Sequence, residues 1–165
     1  TWTMALRAET SLADERADDA YCIAVRVVQR QVDGGEQVLS APKLVTLAGR
    51  PAWLTVGEQH RVPVAAKQQE VVEVGLSMRC TLHVDVEGRA KDTVKLDVDF
   101  DLTELQNDEP GKFAVRKTGL RTILTATLKQ KLTLPLVESD GVPTKWLEMT
   151  VSHAPPPSEP STEMP

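Results

Sequence analysis

The middle of the chain alternates strictly between apolar and polar side chains, and that limits what it can fold into. Val72, Val74, Leu76, Met78, Cys80, Leu82, Val84 and Val86 are apolar, while Glu73, Gly75, Ser77, Arg79, Thr81, His83 and Asp85 stand between them. A helix brings residues three or four apart onto one face, whereas a strand puts every second side chain on the same face. The pattern resumes after Glu87-Gly-Arg-Ala-Lys-Asp92, with Val94, Leu96, Val98, Phe100 and Leu102 set against Lys95, Asp97, Asp99 and Asp101. These are two long strands, each with one apolar face, joined by a turn. Setting Val86 opposite Val94 keeps the apolar faces together, and a one-residue slip would put apolar opposite charged. That register predicts Asp85 opposite Lys95, His83 opposite Asp97, Thr81 opposite Asp99 and Arg79 opposite Asp101. Each such pair contributes only a few tenths of a kcal/mol, roughly.

The rest of the chain reads as further strands. Tyr21, Ile23, Val25 and Val27 alternate, Asp33-Gly34-Gly35 marks a turn, and Val38 to Leu47 is extended with Pro42 at an edge or bulge. Ala48-Gly49-Arg50-Pro51 turns the chain, Ala52 to Val56 returns as a hairpin partner, and Gly57 ends that strand. His60 to Gln69 reads as a polar connection and Gln106 to Gly111 as a loop. A third long segment, Thr-rich in its middle, runs from Ala114 to Leu136, and Ser139-Asp-Gly141 turns into a last strand, Lys145 to Val151. At the start, Trp2, Met4 and Leu6 share a face of a short strand, followed by a charged stretch from Thr10 to Asp19. Residues 1–153 form one mainly β domain of long antiparallel strands and hairpins. Residues 154–165 carry five of the 11 prolines and no apolar pattern, so they are expected to be a disordered tail. With 165 residues the chain is long enough for a core without metals or disulfide staples.

Several functions are disfavoured. A net charge of -5, with no clustered Lys and Arg, argues against nucleic acid as a partner. No apolar run approaches the roughly 20 residues of a membrane helix, and no cleavable leader opens the chain as given. Two cysteines, Cys22 and Cys80, give no framework and no zinc spacing, and read as buried free thiols, with a single bridge as the alternative. His60, His83 and His153 are scattered, and nucleophile-elbow, phosphate-loop and metalloprotease motifs are lacking. The expectation is no catalysis, no cofactor and no structural metal.

The stretch from Val38 to Leu102 resembles the core of the bacterial secretins, the outer-membrane rings of type II and III secretion and type IV pilus systems. The resemblance lies in Val38-Leu-Ser-Ala-Pro-Lys-Leu-Val-Thr-Leu-Ala-Gly-Arg-Pro-Ala-Trp-Leu-Thr-Val-Gly57, in Val62-Pro-Val64, and in Val74-Gly-Leu-Ser-Met-Arg-Cys-Thr-Leu-His-Val84. Val94 to Leu105, Val115 to Leu136 and Leu147 to His153 are similar to later strands of that family. The departures are a missing long gate, with only Ala65 to Val71 between the two Val-Gly phrases, and Leu134-Pro135-Leu136 in place of a double glycine. The insert before the last strand is reduced to Val137–Lys145, and ring-forming N-terminal domains are not expected. The resemblance implies a secretin-like sheet, sandwich or inter-subunit barrel. It also implies a place in the bacterial cell envelope, at the periplasm or outer membrane, or outside the cell.

Assembly follows from length as well. A strand from Val72 to Val86 would be about 50 Å long at about 3.3 Å per residue, against roughly 40 Å for the width of a domain this size. Such a strand must bend or project, and a projecting apolar face needs a cover. The expectation is a homo-oligomer, a ring or fibre, with Met78, Cys80, Leu82, Val84, Val86, Val94, Leu96 and Val98 at the subunit interface and other envelope proteins as further partners. The competing reading is a soluble monomeric β-sandwich that binds a glycan or peptide. Trp53 and Trp146 could stack on a sugar, but both are expected in the core. Asp97, Asp99, Asp101 and Glu104 could hold calcium, but an outer face balanced by Lys95 and Arg79 is the simpler reading.

Overall fold

The computed structural model describes residues 20–65, 68–85, 92–109 and 112–155. The predicted strand at Trp2–Leu6, the stretch before Ala20 and the tail beyond Pro155 lie outside the described residues. Among those described there is no helix, and the fold is mainly β, two antiparallel sheets packed face to face. The strands are β1 (Ala20–Arg30), β2 (Glu36–Ser40), β3 (Lys43–Leu47), β4 (Pro51–Ala65), β5 (Gln68–Val84), β6 (Thr93–Glu109), β7 (Lys112–Thr127), β8 (Lys131–Ser139) and β9 (Val142–His153). The first sheet has the order β2-β1-β9-β8, and β3 pairs the other end of the β1 edge that β2 occupies; the second has the order β4-β5-β6-β7.

The alternation seen in the sequence builds the core. Ile23, Val25 and Val27 of β1 and Leu147, Met149 and Val151 of β9 face Met78, Cys80 and Leu82 of β5 and Leu96, Val98 and Phe100 of β6, all fully buried. Leu120, Leu124, Leu128, Leu132, Leu134 and Leu136 pack around that centre, half-buried. The turns follow their residues. Gly34 has φ 85°, and the Gly35 amide donates to Asp33 Oδ1 at 2.9 Å. Asp140 and Gly141 both have positive φ, as a two-residue hairpin turn between β8 and β9 requires. Pro42 sits between β2 and β3 and lends only its carbonyl, to the Val25 amide.

Four expectations need correction. The β5–β6 pair is antiparallel with its apolar faces together, but Val84, not Val86, lies opposite Val94. This sets His83 against Lys95, Thr81 against Asp97, Arg79 against Asp99 and Ser77 against Asp101. A two-residue slip keeps every side chain on its face, so alternation cannot detect it, and the charge pairs are too weak to decide it. Second, β3 and β4 are not hairpin partners. Thr46 Oγ1 donates to the Arg50 carbonyl at 3.1 Å and the Gly49 amide to that of Leu82 at 2.7 Å, in a turn that carries the chain between sheets. Third, β4 runs on through Gly57 to Ala65, so the expected polar connection is part of a long hairpin with β5, and β6 likewise continues to Glu109. Fourth, the segment after Ala114 breaks at Leu128–Gln130, where Lys129 has φ 64°, into β7 of one sheet and β8 of the other.

Candidate functional site

The residues expected at a subunit interface have a partner within the chain. Met78, Cys80, Leu82, Val94, Leu96 and Val98 are buried against the first sheet, Val84 is half-buried, and Val86 lies outside the described residues. The apolar row is covered by β1 and β9 rather than left bare. Burial in the core also pushes the Cys80 thiol up to about 12, with the charge of Asp97 adding to it. Both cysteines are free; Cys22 is half-buried and alternates with the core residues of β1, so it faces away from Cys80.

Among the described residues, nothing covers the outward face or the two edges of the second sheet. Across that face the register aligns Trp53, Arg79, Asp99 and Arg121, one from each strand. Trp53 is 65% exposed, which corrects the expectation that it packs in the core, and the Arg79 guanidinium lies 5.6 Å from its ring centroid. At the opposite edge of the same face Ile123 is 61% exposed. Asp97, Asp99 and Asp101 stand on this face among Arg79, Lys95 and Arg121, and the described residues contain no group able to hold a metal ion. Trp146 is buried, but it neighbours Val28 and Glu148 on the other face of the first sheet. Burial would raise the Glu148 carboxyl. Hydrogen bonds from Lys131 and Trp146, with the charges of Lys131 and Arg26, outweigh that and hold it below its ordinary value.

Part of the second sheet divides. The β5–β6 ladder stops at Gly75 opposite Thr103, while β4–β5 pairing continues from there to Ala65 and Gln68, and β6–β7 pairing to Glu109 and Lys112. Two ribbons therefore leave the sandwich side by side. A cavity of about 440 Å³ opens near the division, lined by Gly57, Gly75, Asp101 and Thr103 among others. Gly57 lies opposite Gly75, and a Cβ on Gly75 would stand 2.1 Å from the Val56 carbonyl oxygen. Sequence reasoning took Gly57 for a strand end; the available signal was the repeat of Val-Gly at Val56-Gly57 and Val74-Gly75. It missed the Glu148 cluster, whose members are 17 and 122 residues apart and leave no local pattern.

The edges complete the geometry. β4 has 15 residues and β7 has 16, and among the described residues each is paired on one side only. Four alternating strands leave the two edges running in opposite directions. The turns at 48–50 and 128–130 set β3 beside β4 at one side of the sandwich and β8 beside β7 at the other, so each side presents one edge from each layer.

No protein-family model matches the chain, and no curated protein matches it. Solved structures do. The chain is similar in fold to the InvG secretin domain β-barrel of the Salmonella SPI-1 injectisome, at 10% identity and a TM-score of 0.51, covering 87% of this chain and 63% of that one. A second similar structure is the Klebsiella pneumoniae type II secretion system outer membrane complex of PulD, PulS and the PulC HR domain. There the identity is 9% and the TM-score 0.48, with 84% of this chain and 38% of that one covered. The chain thus spans less than two thirds of the length of either.

Proposed function

We propose that this chain is a non-enzymatic structural protein of the bacterial cell envelope that joins copies of itself into a double-walled, secretin-like ring. The observation that carries this reading is the matched pair of edges left unpaired among the described residues. A second copy, rotated about an axis along the strands, brings its β4 beside β7 of the first in antiparallel register. The same movement brings β2 and β3 beside β8 in the other layer, so both walls grow together. Such a head-to-tail contact closes into a ring, or winds into a fibre, according to the rotation per subunit. Within β4 the prolines are Pro51 and Pro63, so the backbone from Ala52 to Val62 keeps all its donors, while β8 of the other layer lacks one donor, at Pro135. Exposed edges of this length are unfavourable in a monomer. The assembly sets the Trp53 edge of one copy next to the Ile123 edge of the next, an aromatic against a β-branched residue on one face. The likeness to the InvG secretin domain β-barrel supports the same arrangement.

In this reading residues 1–153 are the assembling domain and 154–165 a tail. The protein acts in the periplasm, at the outer membrane or outside the cell, with itself and other envelope proteins as partners and no substrate. The long strands contribute to the interface through their edges rather than through Met78 to Val98. Sedimentation and electron microscopy test this: rings or fibres are expected, and Ile123→Asp should reduce them to monomer. A stable wild-type monomer at micromolar concentration overturns it. The exposed Trp53 with Arg79 above it favours one alternative, a monomeric module that binds a glycan or peptide. Monomeric protein whose emission is quenched by an oligosaccharide would support that instead.

A further inference from the structure

The register of the second sheet sets rows of side chains across its outward face. Next to the row of Trp53, Arg79, Asp99 and Arg121 comes Thr55, Ser77, Asp101 and Gly119, and then Gly57, Gly75, Thr103 and Lys117. In the last two rows three positions carry no side chain and three more end in a hydroxyl. The face therefore sinks into a trough beside the longer side chains of the first row, and this is the cavity of about 440 Å³ near the division. On its far side Gln59 Nε2 donates to Glu73 Oε1 at 2.9 Å. Its floor at Gly57 and Gly75 is bare backbone; a Cβ on Gly57 would stand 2.6 Å from the Val74 carbonyl oxygen. Toward β7 the Asp101 carboxylate lies over Gly119, whose virtual Cβ would be 2.9 Å from Oδ1. Among the described residues the side chains of Thr55, Ser77, Asp101 and Thr103 make no hydrogen bond to the protein.

We infer that this trough binds a neutral oligosaccharide, with Trp53 as the platform at its edge. A sugar ring has an apolar C–H face and a rim of hydroxyls, so it needs an aromatic plane beside several polar groups. Both are present. Trp53 stands two residues from Thr55 on the same face, about 6.6 Å along the strand. The Arg79 guanidinium against its ring limits how the indole turns. The cavity falls within the usual size of small-molecule sites, roughly 300–1,000 Å³. The charged groups of its wall, Glu58, Glu73 and Asp101, are all carboxylates, which disfavours an acidic sugar or a phosphate. The trough crosses three strands, about 10 Å at about 4.8 Å per strand, and so suits a chain of sugars laid across them. The inference gives the glycan reading above its binding groups, yet it does not depend on assembly. The trough lies on the face of one chain, whereas ring contacts use the edges.

The test titrates the full chain with chitohexaose in one arm and cellohexaose in the other, read by calorimetry and tryptophan emission. Saturable binding of either sugar supports the site, and the tighter arm says whether N-acetyl groups are recognised. Asp101→Ala should weaken binding about tenfold, the expected loss of one charge-assisted hydrogen bond. Ser77→Ile, a β-branched side chain at an exposed strand position, fills the trough and should abolish binding. Trp53→Phe keeps an aromatic platform, so it should retain binding and lose the change in emission. Thr125→Val, on the same face but outside the trough, should bind as wild type. Sedimentation of the same samples reads assembly separately, so failure of the sugar site and failure of the ring are told apart. No saturable binding of either sugar at millimolar concentration overturns the inference. Binding of a blocked tetralysine peptide in their place also overturns it, as does a Ser77→Ile chain that binds sugar as wild type.

Discussion

Gly75→Ala should be among the most costly one-methyl changes this fold can suffer. Gly75 has φ 141°, a conformation that residues with a Cβ rarely adopt, at a cost of about 1–3 kcal/mol. The new methyl would also stand 2.1 Å from the Val56 carbonyl oxygen and 2.5 Å from Gly57 Cα, both backbone atoms that no side-chain rotation can move. Relief requires β4 and β5 to part around this point. One or two cross-strand hydrogen bonds would be lost, at about 0.5–1.5 kcal/mol each. The total is about 3–5 kcal/mol, a large part of the 5–15 kcal/mol typical of a domain. Gly34→Ala is the control. Gly34 also has positive φ, 85°, but nothing lies within 4 Å of its virtual Cβ, so it should lose only about 1 kcal/mol through backbone strain. Urea denaturation of both variants, followed by circular dichroism, measures the difference. If Gly75→Ala falls within about 1 kcal/mol of Gly34→Ala, the close approach of the two strands is not real and the reasoning fails.

Other outcomes follow from the interior. Glu148→Gln should cost about 1–2 kcal/mol at pH 7, a modest figure because Arg26 and Lys131 are about half exposed and screened. The folded carboxyl is held below its ordinary value of 4.5, so its contribution is complete above that pH and is lost as the pH falls through the folded value. The gap between variant and wild type in urea titrations should therefore narrow at pH 3. The Cys80 thiol, pushed up to about 12 and buried, should resist a thiol reagent at pH 8 until urea unfolds the chain. Phe100→Ala should cost about 3–5 kcal/mol by thermal or chemical melting. Trp53→Ala should change stability by less than about 0.5 kcal/mol yet weaken assembly, as seen by sedimentation.

The interior of this fold was legible because period-two alternation is a face label. It put Leu76 to Leu82 and Val94 to Leu102 on one side without knowledge of what covered them. The same label is blind to a two-residue slip, which is why Arg79 was aligned with Asp101 rather than Asp99. It is also blind to sheet membership. Thr46 and Pro51, like Thr127 and Lys131, lie a few residues apart in strands of different sheets, and only the turn geometry at Gly49 and Lys129 decides that. Trp53 was misread because a tryptophan in an alternating strand resembles a core residue, although its register with Arg79 puts it on the polar face. The Lys145–Glu104 bond joins strands 41 residues apart, so no spacing in the chain could have announced it.

The long strands continue past the last β5–β6 pair as two-stranded ribbons, 58–74 and 104–116, the second still tied to the first sheet through Glu104 and Lys145, rather than as bare apolar strands. At about 3.3 Å per residue, the β4–β5 ribbon reaches roughly 25 Å beyond Gly75. A two-stranded ribbon is marginal alone in water, since it has no third strand or second layer to bury a face. On the ribbons Val71, Phe113 and Val115 are exposed although Val62 is buried, and none of the four belongs to the core that holds Leu76 and Phe100. Sideways pairing with copies of the same ribbon supplies both missing partners, because each subunit then contributes strands to a continuous wall. The free edges and the unsupported ribbons thus pose one physical problem, and a ring closed through β4 and β7 answers both.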